Sequence, residues 1–303
     1  MVGEVCSSAS LGALGVVNKY QIPLVSPAST APALSIKGDY FFRRAPCMRR
    51  RLWGPPRIFV GQTVPSDKYQ GQFAARRMIA LGAKTVVIAS SSDSYGQELA
   101  YNFIAAFTRD GGKAFNVEVP AQAPNKNASD IVDAVRARSA NGVFIATNDL
   151  AWGADIIKAL RTAQPPLSAV TIFGGDSLMD ATVPLRIGAA LAKGVRGSDV
   201  TFGSPAFVAA FKTYTAGKNI SYVPKASHAY DAAEALIEAY RRAEAPKDGK
   251  AILAQLADVR FKGVSGPIAF NEFGDLKYDP KGPRLYTVTE FGADGSIAVV
   301  RGE

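Results

Sequence analysis

The chain has 303 residues, 48% of them apolar and 20% charged, with a formal net charge of +9. That length and composition supply material for two packed domains and argue against disorder. No uninterrupted apolar run of about 18 residues is present, so no helical membrane span is expected. One histidine, His228, and two cysteines, Cys6 and Cys47, exclude multi-histidine metal centres, CxxC redox motifs and most His-based triads.

In chain order, residues 2–5 read as a short strand, 11–20 as a helix and 22–25 as a second strand. Residues 44–62 then break the pattern. They carry Arg44, Arg49, Arg50, Arg51 and Arg57, no acid, and the prolines Pro46, Pro55 and Pro56. Five of the nine excess positive charges lie there, so the basicity is local and no nucleic-acid partner is expected. Three readings of this segment stand side by side: a basic loop for phosphate or an anionic surface, a solvated insertion, or a stretch outside the natural reading frame.

Beyond it the chain alternates between two periods. Residues 85–90 (TVVIAS) form a β-branched run suited to a strand covered on both faces. From Ser94, Leu99, Phe103 and Phe107 recur every four residues, one stripe of a helix that Gly111 and Gly112 end. Phe115, Val117 and Val119 alternate with polar residues as in a half-exposed strand. A helix over 129–138, a strand over 143–146, a helix over 151–163, a strand over 169–173 and a helix over 183–192 follow. Two helices (205–216 and 228–243) and three short strands (268–270, 286–289 and 297–300) complete the chain. This alternation predicts βαβ units with right-handed crossovers, hence an α/β fold of mostly parallel sheets flanked by helices. His228, opening a helical stretch, reads as a helix-end or surface residue.

Enzyme signatures are missing where such a fold would carry them. No GxGxxG, P-loop or GxSxG elbow is present, and carboxylates such as Asp93 and Asp133 sit in helix-start or surface settings. No catalytic residue, metal or cofactor is therefore assigned.

Several segments carry a resemblance. They are Val5-Cys-Ser-Ser-Ala-Ser10, Ile22-Pro-Leu-Val-Ser-Pro-Ala-Ser-Thr30, Tyr40-Phe-Phe-Arg43, Pro65-Ser-Asp-Lys-Tyr-Gln-Gly71 and Ser94-Tyr-Gly96. Further on come Ala229-Tyr-Asp-Ala232 and Gly263-Val-Ser-Gly-Pro-Ile-Ala-Phe270, with Gly274-Asp275. In order and spacing, across nearly the whole chain, they resemble the leucine/isoleucine/valine-binding family of periplasmic proteins, the branched-chain amino acid receptors of ABC importers. The resemblance implies a two-lobed type I periplasmic-binding-protein fold with a ligand cleft between lobes. It divides the chain into lobe 1 (1–43 and 201–275), the atypical insert (44–62) and lobe 2 (63–200 and 276–303). In that family Arg43 would run directly into Thr63, and two strand–helix units would precede Val2, so the resemblance implies a chain lacking its start. The partner of Cys6 in some relatives would lie in that missing part.

The resemblance also implies a ligand set. Ser7, Ala28 (through its backbone) and Thr30 would seat a carboxylate beside a helix start, with Ser8 and Ser29 adjoining. Read without the resemblance, Ser7 caps a helix and residues 26–30 form a turn. Asp176 would take the ammonium of an amino acid and Tyr95 would line the cleft. Asn148 and Asp149 stand where relatives often have an aromatic; the pair either caps the next helix or faces the ligand. The implied function is an extracytoplasmic solute-binding protein for an amino acid or small carboxylate, delivering to an ABC permease from the periplasm. The alternative is a ligand-sensing domain of a regulator or receptor with the same fold.

Overall fold

The computed structural model describes residues 1–35, 60–123, 127–218, 220, 222–245, 247–271, 274–277 and 285–300. Most of the Arg-rich segment, with Cys47, lies outside these residues. In chain order the elements are α1 (Ser7–Lys19), β1 (Leu24–Ser26), β2 (Val60–Gln62), α2 (Asp67–Ala80), β3 (Thr85–Ser91) and α3 (Ser94–Arg109). Then follow β4 (Lys113–Val119), α4 (Ser129–Ala137), β5 (Gly142–Ala146), α5 (Leu150–Thr162), β6 (Thr171–Gly174), α6 (Thr182–Ile187) and α7 (Ala189–Ala192). The remainder comprises β7 (Arg196–Val200), α8 (Pro205–Thr215), α9 (Lys225–Arg242), α10 (Gly249–Leu256), β8 (Arg260–Lys262), β9 (Pro267–Ala269), β10 (Tyr286–Phe291) and β11 (Ile297–Val299).

The chain divides into two compact units, Met1–Ser66 with Thr201–Leu285 and Asp67–Val200 with Tyr286–Glu303. Residues 63–66 and 276–285, placed in lobe 2 on sequence, thus belong to the first unit. The physical reason is local bonding: the Thr63 hydroxyl donates to the His228 carbonyl at 2.9 Å, and Leu276 is buried with Phe270 in the first unit's core.

In the second unit a seven-stranded sheet runs β11-β10-β7-β6-β5-β3-β4. The five strands from β7 to β4 are parallel, and β10 and β11 add antiparallel strands at one side. Alternation along β3 sends Val86 and Ile88 to one face and Val87 and Ala89 to the other. The first face packs on Met78 of α2 and on Leu99, Phe103 and Phe107 of α3, with Phe103 stacked on Phe144 at 4.2 Å between centroids. The second packs on Ile131 and Val135 of α4 and on Ile156, Ile157 and Leu160 of α5. Both faces being dry is what lets these strands read as continuous apolar runs.

In the first unit β1 and β2 pair in parallel, Leu24 opposite Val60, while β8 and β9 form a hairpin. The alanine face of α9 (Ala232, Ala235 and Ala239) closes on Val25, Leu256, Ile268 and Phe270. Three expectations are corrected here. Residues 2–5 are not a strand: only Val2 bridges Val25, because the chain bends at residues 5–6 to enter α1. Val60–Gln62, counted with the insert, is a paired strand of this unit. His228 stands in the first turn of α9, near the helix end as expected, but it is 3% exposed, its Nδ1 donating to the Thr63 carbonyl at 2.7 Å, so it is not a surface residue.

Smaller differences have equally local causes. The helix expected over 183–192 is two helices, broken at Gly188, whose φ of +89° an L side chain rarely adopts. Helix α9 begins at Lys225, three residues before His228. Elements α2, β7, α10 and β8 had no counterpart in the sequence reading.

Candidate functional site

The first unit offers a polar seat at the start of α1. The loop after β1 folds over it because Ser26 Oγ accepts from the backbone N–H of Ser29 at 2.9 Å and of Ala28 at 3.3 Å, and donates to the Glu4 carbonyl at 2.6 Å. Ser7, the first residue of α1, is buried, and its Oγ accepts from the N–H of Thr30 and of Ala31, each at 3.2 Å. It is not a helix cap: the N-cap position is Cys6, whose side chain makes no capping bond. With both lone pairs engaged, the Ser7 hydroxyl retains its proton for donation. The Thr30 hydroxyl is buried and bonds to nothing among the described residues, a costly condition that a ligand oxygen would relieve. The first bond of α1 runs from Ser10 N to Cys6 O at 3.0 Å, so the N–H groups of Ser7, Ser8 and Ala9 precede the intrahelical ladder. Two hydroxyls and a helix start together suit an anion.

Other predicted members of this half behave differently. Ser8 is exposed on the first turn of α1. Ser29 is fully buried, with its hydroxyl bonded to Ser10 Oγ at 2.8 Å and to the Glu4 carbonyl at 3.0 Å, so it holds the loop down. The Ala28 N–H is spent on Ser26, and what this residue still offers is its carbonyl, an acceptor suited to a cation rather than to a carboxylate. Ser10, which helps to assemble the seat, was not picked out in the sequence because its role is visible only once Glu4 and Ser29 are beside it, whereas the turn expected over residues 26–30 is held by Ser26 Oγ.

The second unit carries its polar groups at the carboxyl ends of β3, β5 and β6, where ligands bind in open parallel sheets. After β3, Asp93 caps α3 by accepting from Tyr95 N at 3.0 Å and Gly96 N at 3.1 Å. This fixes Tyr95 so that its buried hydroxyl donates to Asp176 Oδ1 at 2.8 Å. Gln70 Nε2 donates to the same oxygen at 3.0 Å and to Ser198 Oγ at 3.0 Å. Burial holds the Tyr95 phenol well above its ordinary pKa of 10.0, reinforced by the charges of Asp176 and Asp67. Both carboxylates bear on this phenol, and a carboxylate is the complement of an ammonium group.

Asn148 and Asp149 part company. Asp149 caps α5, accepting from Trp152 N at 3.0 Å, as the structural reading of that pair anticipates. Asn148 is exposed, and its Oδ1 accepts from the Ser177 hydroxyl at 2.7 Å. Gln70 and Ser177 are the residues of this half that sequence reasoning missed. Among the described residues no group of three or more His, Cys, Asp or Glu is placed to hold a metal, and no helix is long and apolar enough to cross a membrane.

Comparison with known proteins places these features in context. Residues 1–280 match the family described as the receptor family ligand binding region. Metabotropic glutamate receptor 6 of Mus musculus is 25% identical over 360 aligned positions, covering 98% of this chain and 38% of that receptor. Metabotropic glutamate receptor 4 of Rattus norvegicus is 27% identical over 190 positions, covering 61% and 18%. The chain therefore spans well under half the length of these curated relatives. Among solved structures, the leucine binding protein LivK of Thermotoga maritima MSB8 superposes with a TM-score of 0.78 at 23% identity, covering 99% of this chain and 78% of that one. An ABC transporter solute binding protein from R. palustris in complex with benzoate gives 0.73 at 17% identity, covering 99% and 76%. These neighbours share the two-lobed type I periplasmic-binding-protein fold, and the proteins named are binding and receptor proteins. The chain belongs to the receptor family ligand binding region.

Proposed function

We propose that this chain is an extracytoplasmic solute-binding protein of an ABC importer, taking an amino acid or a related small carboxylate in the periplasm and presenting it to a membrane permease. The observation that carries this reading is the seat on the first unit. There the Thr30 hydroxyl is buried without a partner beside Ser7 and the first turn of α1. A carboxylate suits that seat on the first unit, and an ammonium suits Asp176 on the second. No bond is made or broken, so no catalytic group is needed. Solved neighbours named as leucine and benzoate complexes support the class of ligand without selecting within it.

Calorimetric titration with a panel of L-amino acids and with benzoate tests this. A member of the panel binds with micromolar or better affinity, and Thr30→Val weakens it roughly ten- to hundredfold, the range for a hydrogen bond to a charged group. Absence of binding across the panel, or an unchanged affinity in the variant, overturns the assignment.

A second reading, the ligand-sensing domain of a receptor, is favoured by the similarity to metabotropic glutamate receptor 6 over 98% of the chain. Binding alone does not separate the two. Stimulation of a reconstituted ABC permease by the ligand-loaded chain supports import; dimerisation on ligand addition without any effect on the permease supports sensing.

A further inference from the structure

Strands β5 and β6 pair in parallel, with Ile145 opposite Gly174, so the segments that follow them leave the sheet side by side. There the Ser177 hydroxyl donates to Asn148 Oδ1 at 2.7 Å. Tyr95 donates to Asp176. The two bonds lie along the carboxyl edge of the sheet, one of them ending at the exposed amide of Asn148. The apolar residue next in sequence is used elsewhere: Leu178 is buried in the unit's core, under Gly153 and Gly174.

We propose that the Asn148–Ser177 pair selects a ligand whose side chain carries a neutral hydrogen-bonding group, an amide or a hydroxyl, over one with an aliphatic side chain. This rests on the amino-acid reading above. With the Ser177 proton on Asn148, the amide Nδ2 bonds to no described residue and is offered as a donor. With the amide turned, Nδ2 donates to the Ser177 oxygen and Oδ1 is offered as an acceptor. The pair thus presents a donor or an acceptor as the ligand requires. An aliphatic group set against it would strip water from the amide and return no bond. An anionic side chain would meet the charge of Asp176 and of Asp149, the residue beside Asn148.

The test is calorimetric titration of the full chain with L-glutamine, L-serine and L-leucine, repeated on Asn148→Leu and Ser177→Ala. Glutamine or serine binds at least tenfold tighter than leucine to the unaltered chain. Asn148→Leu shifts that ratio toward leucine by tenfold or more without changing Tm, since Asn148 is exposed. Ser177→Ala shifts it in the same direction by a smaller factor. If leucine binds as tightly as the polar ligands, or the ratio is unmoved in both variants, the selectivity assignment falls and the solute-binding function stands. If none of the three binds, the selectivity assignment falls, and the wider panel above decides the function.

Discussion

The phenol of Tyr95 donates to Oδ1 of Asp176 at 2.8 Å, although 81 positions separate the two in sequence. The bond joins the segment after β3 to the segment after β6, and Gln70 of α2 donates to the same oxygen. A carboxylate held by two donors, and only 5% exposed, has its orientation set before any ligand arrives.

Tyr95→Phe removes one of those donors while keeping the ring. It should destabilise the chain by about 1–3 kcal/mol, the range for leaving a buried charged group short of a bond, and weaken amino-acid binding. Denaturant unfolding and calorimetry measure the two effects. In the unaltered chain the absorbance signature of this tyrosinate should emerge well above the pH at which exposed tyrosines titrate. Burial is the larger cause, so Asp176→Asn should lower that midpoint only part of the way.

Ser7→Ala leaves the N–H groups of Thr30 and Ala31 without their acceptor. A loss of about 1–3 kcal/mol in stability is expected, together with loss of ligand affinity. Thr30→Val, in contrast, removes a hydroxyl that has no protein partner among the described residues. It should cost affinity with little stability. A thermal melt beside a titration for each variant separates positioning from contact.

His228 makes stability depend on pH. Burial lowers its pKa from the ordinary 6.5, opposed by its bond to Thr63 and by Asp231, and Lys225 acts in the same direction as burial. The Thr63 carbonyl can only accept, so the neutral ring holds its proton on Nδ1. Because the folded pKa lies below the unfolded one, the unfolded chain binds the extra proton first on acidification. The contribution of His228 is therefore complete above about pH 6.5 and falls as the pH drops toward the folded pKa. Tm should decline as the pH falls below about 6.5, and His228→Phe should flatten that decline even if it lowers Tm throughout.

Gly71 allows α2 and α3 to touch. A Cβ there would stand 2.6 Å from the backbone N of Phe103 and 2.8 Å from the Asn102 carbonyl carbon, neither of which can rotate away. Gly71→Ala should therefore cost about 1–3 kcal/mol, despite the gain in helix propensity that alanine ordinarily brings. Chemical denaturation measures it; a neutral or stabilising result would mean that the helices separate freely.

How much of this was legible in the sequence follows from the kind of burial involved. Strands β3, β5 and β6 were visible because both faces of the sheet are dry, which forces short β-branched and aromatic runs. Helix α3 was visible through Leu99, Phe103 and Phe107. Helix α2 was not: it buries Gly71, Ala74 and Ala75 beside Met78, small residues that make no conspicuous stripe. Strand β7 reads Arg-Gly-Ser-Asp-Val and is buried over its last four residues through hydrogen-bonded polar side chains, which no hydrophobic pattern reveals. Of the proposed site residues, Ser7, Thr30, Tyr95 and Asp176 were picked out through strand ends and resemblance. Gln70 and Ser177 were not, since nothing local to them marks a partner elsewhere in the chain.

The amino-acid order by itself determined the alternation of strand and helix from Thr85 to Gly174, because burial of a strand or of one helix face imposes a period that survives in one dimension. It also determined that polar residues follow the strands. Tertiary structure alone decided which hydroxyls are free and which are spent: Ser29 is consumed by Ser10 and Glu4, whereas Thr30, the next residue, is left open. Neighbouring residues of nearly identical chemistry are separated here by the direction each faces, and that direction is set by contacts with residues 19 or more positions away.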